Sequence, residues 1–289
     1  MEAVILLAHG APESLDDVAP YVLRIRHGRP LDPPLMEQIK ERYQLIGGSP
    51  LLLWTQRQVA GLQKLLPDRK VYFGMRYSSP FIKETVDQMI ASDGIRSVRA
   101  ICLAPQFSTF TIGAYQKALK EAIADRDLNF EIVRSYATHP QLIRAFAAKL
   151  QKALQQHPGA FVIFTAHSLP ARALAEGDPY DFQAKETAVY VAQACGLKDW
   201  RFAYQSQGMT AEKWLEPTVE ARLTELAAKG ISKTVIMPVG FVCDHVEVLY
   251  DIDIFFKRLA SEKGIELFRA ESLNDSPEFL ELLRQLSVS

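Results

Sequence analysis

The chain has 289 residues, of which 48% are hydrophobic and 23% charged, so it can bury a large core in one α/β domain or two smaller ones. This composition excludes a disordered, collagen-like or solenoid chain. The 33 Lys and Arg nearly balance the 34 Asp and Glu. Because no global basic field remains to hold nucleic acid, we expect no nucleic-acid partner.

Cysteine usage and hydropathy indicate the compartment. The three cysteines are widely separated and form no C-x-x-C pair, which favours reduced thiols over a disulfide framework, a structural zinc site or a cysteine-ligated cluster. The apolar run at residues 3–8 is too short for a signal peptide. No uncharged apolar stretch approaches the roughly 20 residues of a membrane span. We therefore expect a cytoplasmic protein, for which peripheral contact with a membrane is still compatible with the sequence.

Short apolar runs alternate along the chain with longer segments of helical period. This alternation is typical of βαβ units around a parallel sheet. The predicted strands are 3–8, 70–75, 98–104, 130–135, 160–165, 200–205, 234–239 and 265–269. The predicted helices are 50–66, 80–91, 113–124, 141–155, 181–194, 216–228 and 277–286.

The two halves of the chain repeat a pattern. Ala8-His9-Gly10-Ala11-Pro12 follows the first predicted strand, and Ala166-His167-Ser168-Leu169-Pro170 follows the first strand of the second half. Each half later has a strand that leads into a proline and an aromatic residue, at Pro105 and Pro238. Two matches in the same order predict a duplicated unit.

The predicted fold is therefore α/β, with two similar Rossmann-like, doubly wound lobes at residues 1–155 and 156–289, each around a four-stranded parallel sheet. Ligands bind such sheets outside the carboxyl ends of the strands. We expect a cleft between the lobes, with His9, His167 and the segment 241–247 at one rim.

The first half carries an extra stretch, residues 14–49, that has no counterpart in the second. One interpretation is a surface helix, loop and helix with a solvated charged face. The other is a lip over the cleft whose arginines, Arg26 among them, meet an anionic ligand, because guanidinium groups suit carboxylates. The sequence leaves both interpretations open.

Four candidate polar residues follow the seventh predicted strand: Asp244, His245, Glu247 and Asp251. A capping box, with Asp244 as N-cap and Glu247 three residues later, would account for two of the carboxylates without any catalysis. It does not account for His245. Glu247 and Asp251 also stand at i,i+4 with like charge, which costs stability on a helix unless a cation lies nearby. Such an acidic ladder suits a path for a divalent metal ion.

His167 stands where a strand is predicted to end, a position that often faces a cleft. A hydrogen-bonded core histidine is the alternative. An imidazole that faces a carboxylate can bind a divalent metal loosely or exchange protons near neutral pH. The sequence contains no G-x-G-x-x-G motif for dinucleotides, no G-x-x-x-x-G-K-[ST] phosphate loop and no G-x-S-x-G nucleophile elbow. Dinucleotide binding, phosphate-loop chemistry and α/β-hydrolase chemistry therefore lack their usual groups.

Taken in order, the motifs resemble those of the ferrochelatases, which insert ferrous iron into a porphyrin in haem synthesis. The resemblance covers the whole chain and implies a two-lobed fold with the porphyrin in the cleft. The matching motifs are Arg42-Tyr43 with Ile46-Gly-Gly-Ser-Pro50, Gly74-Met-Arg-Tyr77, Leu103-Ala-Pro-Gln-Phe-Ser108, Ala166-His-Ser-Leu-Pro170, Gly177-Asp-Pro-Tyr180, Tyr204-Gln-Ser206 with Trp214-Leu215, Gly240-Phe-Val-Cys-Asp-His-Val-Glu247 and Arg269-Ala-Glu-Ser-Leu-Asn274.

The resemblance also implies roles for individual residues. His167 would bind the metal or accept pyrrole protons with Glu247 as its partner and second metal ligand, and Asp244 and His245 would hold that pair in place. Ferrous iron and a porphyrin would be the substrates and partners of a monomer or homodimer, with no cofactor required. The implied substrate contacts are His9, Arg26, Ser49, Arg76, Tyr77, Phe107, Trp214 and Phe241.

The sequence departs from the family pattern in three places. His9 stands where relatives often have Tyr, Leu or Met, so we hypothesise that a second imidazole approaches the macrocycle or the product iron. Phe255 replaces a carboxylate that often continues the acidic ladder. We also expect no cluster-bearing C-terminal extension of the kind that some relatives have.

Two other functions stay open at this point. One is a chelatase of the cobalt or sirohydrochlorin type, and the other is a haem or metal carrier without turnover. The sequence also does not distinguish protoporphyrin IX from coproporphyrin III as substrate.

Overall fold

Two parallel sheets of four strands form the centre of the computed structural model, which describes residues 2–124, 126–208, 210 and 212–288. The first sheet has the order β2-β1-β3-β4 and the second has the order β6-β5-β7-β8. The strands are β1 (Glu2–Ala8), β2 (Lys70–Met75), β3 (Ser97–Cys102), β4 (Asn129–Val133), β5 (Phe161–His167), β6 (Arg201–Gln205), β7 (Lys233–Met237) and β8 (Glu266–Arg269). The identical order confirms the predicted fold class of two similar α/β lobes.

Helices flank both sheets, and all seven predicted helices are present. The helices are α1 (Val18–Ile25), α2 (Pro33–Leu45), α3 (Leu51–Leu65), α4 (Ile82–Ala91), α5 (Ile112–Ile123), α6 (Pro140–Gln156), α7 (Arg172–Ala175), α8 (Tyr180–Ala194), α9 (Val219–Ala228), α10 (Val246–Leu249), α11 (Lys257–Glu262) and α12 (Pro277–Val288). A π-helical turn, Asp251–Phe256, joins α10 to α11. The sequence did not predict α7, α10 or α11, because four to six residues are too few to show a helical period.

The central strands are apolar because helices cover both faces of each sheet. Every residue from Ala3 to Ala8 is buried in β1. Leu6 of β1 and Phe164 of β5 belong to one apolar cluster, together with Phe146 of α6. The same core therefore reaches both sheets.

Two helices cross between the halves. α6 lies in the predicted first lobe but packs against β7 and α8, and α12 packs against α3, α6 and β3. Arg99 Nε of β3 donates to the Leu286 carbonyl of α12 at 2.5 Å. The predicted boundary at residues 155 and 156 separates the two sheets, whereas the helices interlock the halves.

Helices α1 and α2 lie in the stretch 14–49. Val18, Tyr21, Val22 and Tyr43 form their small buried core, against which Tyr77 packs from the first half and Val246 from the second. The stretch therefore contacts both halves, as a lip would. In the described ranges no helix is long and apolar enough to cross a membrane.

Candidate functional site

A cavity of about 530 Å³ opens at the carboxyl ends of β1 and β5, beneath α1 and α2. Both halves contribute to it, as expected for a ligand site in such sheets. The predicted site residues in its lining are His9, Ser49, Arg76, Tyr77, His167, Phe241, His245 and Glu247. Four predicted site residues lie outside the lining, namely Arg26, Phe107, Trp214 and Asp244.

His167 and Glu247 face each other in this cavity. The His167 Nε2 lies 3.3 Å from Glu247 Oε1, and each side chain is about one-third exposed, at 30% and 36%. His167 is the last residue of β5, two residues beyond the predicted end of that strand. Gly240 permits the close approach of the two segments, because a Cβ there would lie 2.7 Å from the Cα of Ala166.

The hydrogen bonds of His167 define its protonation state. Its Nδ1 contacts the Ser168 carbonyl, and its Nε2 faces the Glu247 carboxylate. Both of these partners are acceptors, so an imidazolium with two N–H groups satisfies them. Burial opposes this charge, but Glu247 outweighs burial and raises the pKa of His167 to about 9. In turn, burial would raise the pKa of Glu247, yet His167 holds it well below its usual range. The resting site is therefore an imidazolium–carboxylate pair.

His245 positions Glu247 through the backbone. Its Nδ1 accepts a hydrogen bond from the Glu247 N–H at 3.2 Å, so His245 is the N-cap of α10. The ring also lies edge-on to Phe241, with 4.8 Å between centroids. Burial lowers the pKa of His245, which keeps it neutral. The capping box with Asp244 as N-cap is therefore wrong, and the histidine that capping did not explain is the cap itself.

Asp244 instead ties this segment to the C-terminal Ser-Leu-Asn motif. Ser272 Oγ donates to Asp244 Oδ1 at 2.7 Å and Asn274 Nδ2 donates to Oδ2 at 2.9 Å. Arg269 Nη1 lies 3.1 Å from Oδ1. The Asp244 N–H donates in return to Asn274 Oδ1 at 2.9 Å. These contacts hold the backbone one residue before His245 and three before Glu247.

Asp251 lines the cavity at the start of the π-helical turn. Ser206 Oγ donates to Asp251 Oδ2 at 2.5 Å, from a backbone with φ of 59°. Burial, aided by the charge of Glu247, raises the pKa of Asp251 to about 6 despite this bond. Phe255 packs in the apolar cluster beneath, so it extends no acidic ladder. In the described part of the chain no group of three or more His, Cys, Asp or Glu could hold a metal, and the facing pair offers two ligands.

Two arginines line the cavity without an ion pair within 4.0 Å among the described residues, although the charge of Arg42 acts on Asp251. The Arg76 guanidinium lies 4.6 Å from the centroid of Tyr77 and 5.3 Å from that of Tyr115. The Arg42 guanidinium lies 5.2 Å from the centroid of Tyr250. Such guanidinium groups are available to carboxylates of a ligand.

Arg26, by contrast, donates through Nε to the Arg29 carbonyl at 3.1 Å, outside the lining. The prediction chose the arginine-rich turn after α1, whereas the lining takes Arg42 from the last turn of α2. The Arg42-Tyr43 motif was the signal in the sequence for this position.

Five aromatic side chains that the sequence did not assign to the site complete the lining, two of which, Tyr43 and Tyr180, stand in the matching motifs. They are Tyr21, Tyr43, Phe110, Tyr115 and Tyr180. Phe107 turns away and stacks with the Arg134 guanidinium at 4.8 Å. Trp214 pairs with Pro170 in an isolated bridge, and its Nε1 donates to Thr210. Phe110, two residues after the motif that contains Phe107, lines the cavity instead, together with Leu103, Ala104 and Gln106 of that motif.

His9, the residue directly after β1, stands at the place that corresponds to His167 at the end of β5. Its Nδ1 lies 2.9 Å from the Tyr21 hydroxyl, and its ring centroid lies 4.7 Å from that of Tyr77. The His9 side chain is exposed at the cavity wall, and the partial desolvation that the surrounding groups impose on its ring lowers the pKa of His9 below its usual value. His9 is therefore neutral at physiological pH.

Comparison with known proteins shows the family of the chain. The family model described as Ferrochelatase matches residues 1–289. A "Ferrochelatase" of Herpetosiphon aurantiacus is 42% identical over 98% of this chain and 96% of its own length. The "Coproporphyrin III ferrochelatase" of Oceanobacillus iheyensis is 36% identical over 97% of this chain and 94% of its own.

Solved structures show the same fold at low identity. SirB from Bacillus subtilis with Fe3+ has a TM-score of 0.64 at 9% identity, covering 99% of this chain and 96% of that one. CbiX, described as the terminal enzyme of sirohaem biosynthesis in denitrifying bacteria, has a TM-score of 0.59 at 12% identity, covering 98% and 97%. These likenesses support the fold alone, whereas the full-length sequence matches show that the chain belongs to the ferrochelatase family.

Proposed function

We propose that this protein inserts ferrous iron into a porphyrin, protoporphyrin IX or coproporphyrin III, in haem biosynthesis, with release of two protons. One observation carries the proposal for this chain: the His167–Glu247 pair faces a cavity lined by aromatic residues and unpaired arginines. The cavity volume of about 530 Å³ lies in the usual range of small-molecule sites. Membership of the ferrochelatase family supports the same reaction.

The pair supplies the groups that insertion needs. Insertion replaces two pyrrole N–H protons by one metal ion, so the site requires a weak metal ligand and a proton acceptor. In the resting pair, His167 Nε2 carries a proton and Glu247 is ionised. Loss of that proton frees the Nε2 lone pair, and the imidazole and the carboxylate can then hold ferrous iron with open coordination positions.

The same two residues then accept the pyrrole protons of the porphyrin. Once the iron has passed to the porphyrin, His167 Nε2 and the Glu247 carboxylate are free to receive the two pyrrole protons. Asp251, whose pKa lies at about 6, is the next carboxylate along the cavity wall and can exchange protons near neutral pH. The proton that His167 takes restores the imidazolium, and the proton that Glu247 takes passes through Asp251 to solvent, so the resting pair forms again.

Arg42, Arg76 and Ser49 are positioned to hold the propionates of the porphyrin. The two guanidinium groups are fixed on aromatic faces and keep their N–H groups for a ligand. Protoporphyrin IX and coproporphyrin III differ in the number of propionates, so both belong in the test. Location in the cytoplasm and the choice between monomer and homodimer stay predictions from the sequence.

The direct experiment is anaerobic iron insertion with enzyme well below substrate. Protoporphyrin IX, coproporphyrin III and sirohydrochlorin are supplied in parallel with ferrous iron, and loss of free porphyrin is followed by its Soret absorption. Many turnovers with at least one of the two porphyrins are expected. Consumption limited to one equivalent per protein would indicate a carrier, and preference for sirohydrochlorin would indicate the other chelatase type.

A further inference from the structure

Gln58 is a buried polar residue of α3 that bonds to the C-terminal part of the chain. Its side chain is fully buried, and its Nε2 donates to the Asn274 carbonyl at 2.7 Å. The reverse orientation of the amide would bring Oε1 against that carbonyl, and both of these oxygens can only accept. The donor therefore faces Asn274, and the bond links the first half of the chain to the segment that follows β8.

Stability alone does not explain the amide of Gln58. In the part of the chain that the structure describes, no donor reaches its buried Oε1 atom. A buried acceptor without a partner costs free energy, which offsets the gain from the bond to Asn274. An apolar side chain of similar length would avoid this cost. The reason for a polar side chain at this position therefore lies in what its bond holds in place.

Asn274 holds Asp244 from a left-handed backbone. Its φ is 49°, in a region that asparagine enters more readily than most residues. From this conformation its N–H donates to the Val242 carbonyl at 2.9 Å, and its side chain exchanges two hydrogen bonds with Asp244. The bond from Gln58 restrains the remaining polar group of Asn274, its carbonyl. It thereby stabilises the conformation from which Asn274 reaches Asp244.

The contacts continue from Asp244 to Glu247. Asp244 directly precedes His245, whose Nδ1 accepts from the Glu247 N–H at 3.2 Å. Loss of the anchor at Asp244 therefore changes the cap of α10, and with it the carboxylate that faces His167. Gln205 also donates to the Glu247 carbonyl at 2.7 Å, so this effect should be partial.

Helix α3 gives Gln58 a fixed position, which a residue that orients others requires. The helix packs against β1, β2 and α12. Leu62, about one turn after Gln58, is fully buried. Gly61 lets α12 approach closely, because a Cβ there would lie 2.5 Å from Leu280 Cδ1. Gln58 is therefore held by the core at one end and bonded to Asn274 at the other.

We propose that Gln58 is a positioning residue for Glu247, which it holds through Asn274 and Asp244. The proposal rests on the proposed function. Gln58 is not part of the cavity lining, so it does not contact the porphyrin. Its effect should therefore fall on metal binding and kcat and leave the porphyrin KM close to its wild-type value.

The test compares Gln58→Met with the wild type. Methionine is unbranched and of similar length, so it fills the site without a donor for Asn274 and without a buried orphan acceptor. Calorimetry with Zn²⁺ at one fixed pH measures metal binding, and His167→Ala identifies the share that belongs to the pair. Steady-state iron insertion measures kcat and KM. The zinc association constant and kcat should each fall by roughly 2–30-fold, the range for a residue that acts on a site through intermediates.

Gln141→Met is the matched control. Gln141 of α6 is also buried, and its Nε2 donates to the Glu278 carbonyl of α12 at 3.1 Å. That bond likewise joins the first half to the C-terminal part of the chain, but it lies beyond the anchor of Asp244. The zinc association constant and kcat of this variant should stay at their wild-type values.

A double-mutant cycle tests the route. In the Asp244→Ala background, Gln58→Met should lower the zinc association constant no further, because the route through Asn274 is already broken. If Asp244→Ala does not fold, Asn274→Gly takes its place, since glycine keeps the left-handed backbone and lacks the bonds to Asp244. Reductions that multiply in the cycle would overturn the proposal.

All measurements are made at a temperature where circular dichroism shows each variant fully folded, so destabilisation alone changes none of them. An unchanged zinc association constant in Gln58→Met would overturn the proposal. A Gln58→Met variant that does not fold would also overturn it, because Gln58 would then serve the fold itself. Where zinc binding by the wild type is too weak to titrate, kcat decides by the same rule.

The outcome separates this inference from the proposed function. A lower zinc affinity in Gln58→Met, together with a wild type that inserts no iron, keeps the positioning role and removes the function. Wild-type iron insertion with a zinc affinity that does not depend on Gln58 does the reverse.

Discussion

The imidazole of His167 at the end of β5 lies 3.3 Å from the carboxylate of Glu247 in α10. Both neighbours of the imidazole nitrogens are acceptors, so the pair holds one more proton than a neutral histidine would. Metal binding at Nε2 and the resting ion pair are therefore mutually exclusive. This competition has consequences for pH dependence that can be measured.

Metal uptake by the pair should strengthen as pH rises. The pKa of His167 is raised to about 9, so at lower pH a proton must leave before Nε2 can bind a metal. The association constant should rise by up to about tenfold per pH unit below that pKa and level off near it. Calorimetry with Zn²⁺ as an air-stable probe, from pH 6 to pH 9, measures this slope in buffers that bind the metal weakly.

Glu247→Gln provides the comparison for the pH profile. Without the carboxylate, burial is the dominant influence and lowers the pKa of His167, so the weakened binding should level off at lower pH. A wild-type profile already flat below pH 7 would contradict the assignment of an imidazolium.

Replacing Gly240 by Ala should change the position of His167 through its neighbour Ala166. The added Cβ would lie 2.7 Å from both the Cα and the Cβ of Ala166, so β5 or the segment after β7 must shift. We expect a loss of about 1–3 kcal/mol in the free energy of unfolding, together with a lower kcat. Gly113→Ala is the control, because its Cβ, in the first turn of α5, would make only ordinary contacts with Ser108 and Thr109 and should not destabilise the protein. Equal stability of the two variants would show that the close approach is unimportant.

Asp244→Ala should reduce both stability and turnover without removing a group from the cavity. Asp244 accepts from Ser272, Asn274 and Arg269, whose guanidinium keeps Asp253 as a second partner. Because that partner remains, we expect a loss of about 1–3 kcal/mol in urea unfolding.

The kinetic signature distinguishes positioning from mere destabilisation. At a temperature where the Asp244→Ala variant is fully folded, kcat should still fall, since Glu247 loses its anchored segment. Asp199→Asn, at an exposed ion pair with Arg201, is the control. An unchanged kcat in folded Asp244→Ala would mean that the anchor serves stability alone.

Arg42→Ala and Arg76→Ala should each raise KM for the porphyrin more than they lower kcat. A charge-assisted hydrogen bond to a propionate is worth about 1.5–3 kcal/mol, or roughly 10–100-fold in KM. Arg26→Ala should change KM less than about twofold, because Arg26 bonds to the Arg29 carbonyl outside the cavity. Steady-state kinetics with both porphyrins measure these effects. A larger effect of Arg26→Ala than of Arg42→Ala would instead indicate that Arg26 contacts the porphyrin.

The sequence predicted most of the fold because parallel strands read as continuous apolar runs. It also indicated the facing pair, since His167 and Glu247 both follow central strands of a duplicated unit. It missed α7, α10, α11 and the π-helical turn, all of which are short. The π-helical turn includes the bond from the Phe255 N–H to the Tyr250 carbonyl. No local pattern predicts that bond.

Side-chain partners distant in the chain explain the remaining errors. Asp244 has the spacing of an N-cap, but residues 269–274 bind its carboxylate, so His245 takes the capping position. Whether Arg26 or Arg42 lines the cavity depends on how α1 and α2 pack against the two halves. Such choices follow from tertiary packing and leave no spacing in the sequence.

Iron insertion by His167→Ala is the most direct test of the role of the pair. Porphyrin binding, measured by fluorescence quenching, and the thermal unfolding midpoint are recorded on the same variant. Insertion of ferrous iron should be lost, whereas porphyrin binding and the fold should be retained. Turnover at the wild-type rate in His167→Ala would contradict this role of the pair.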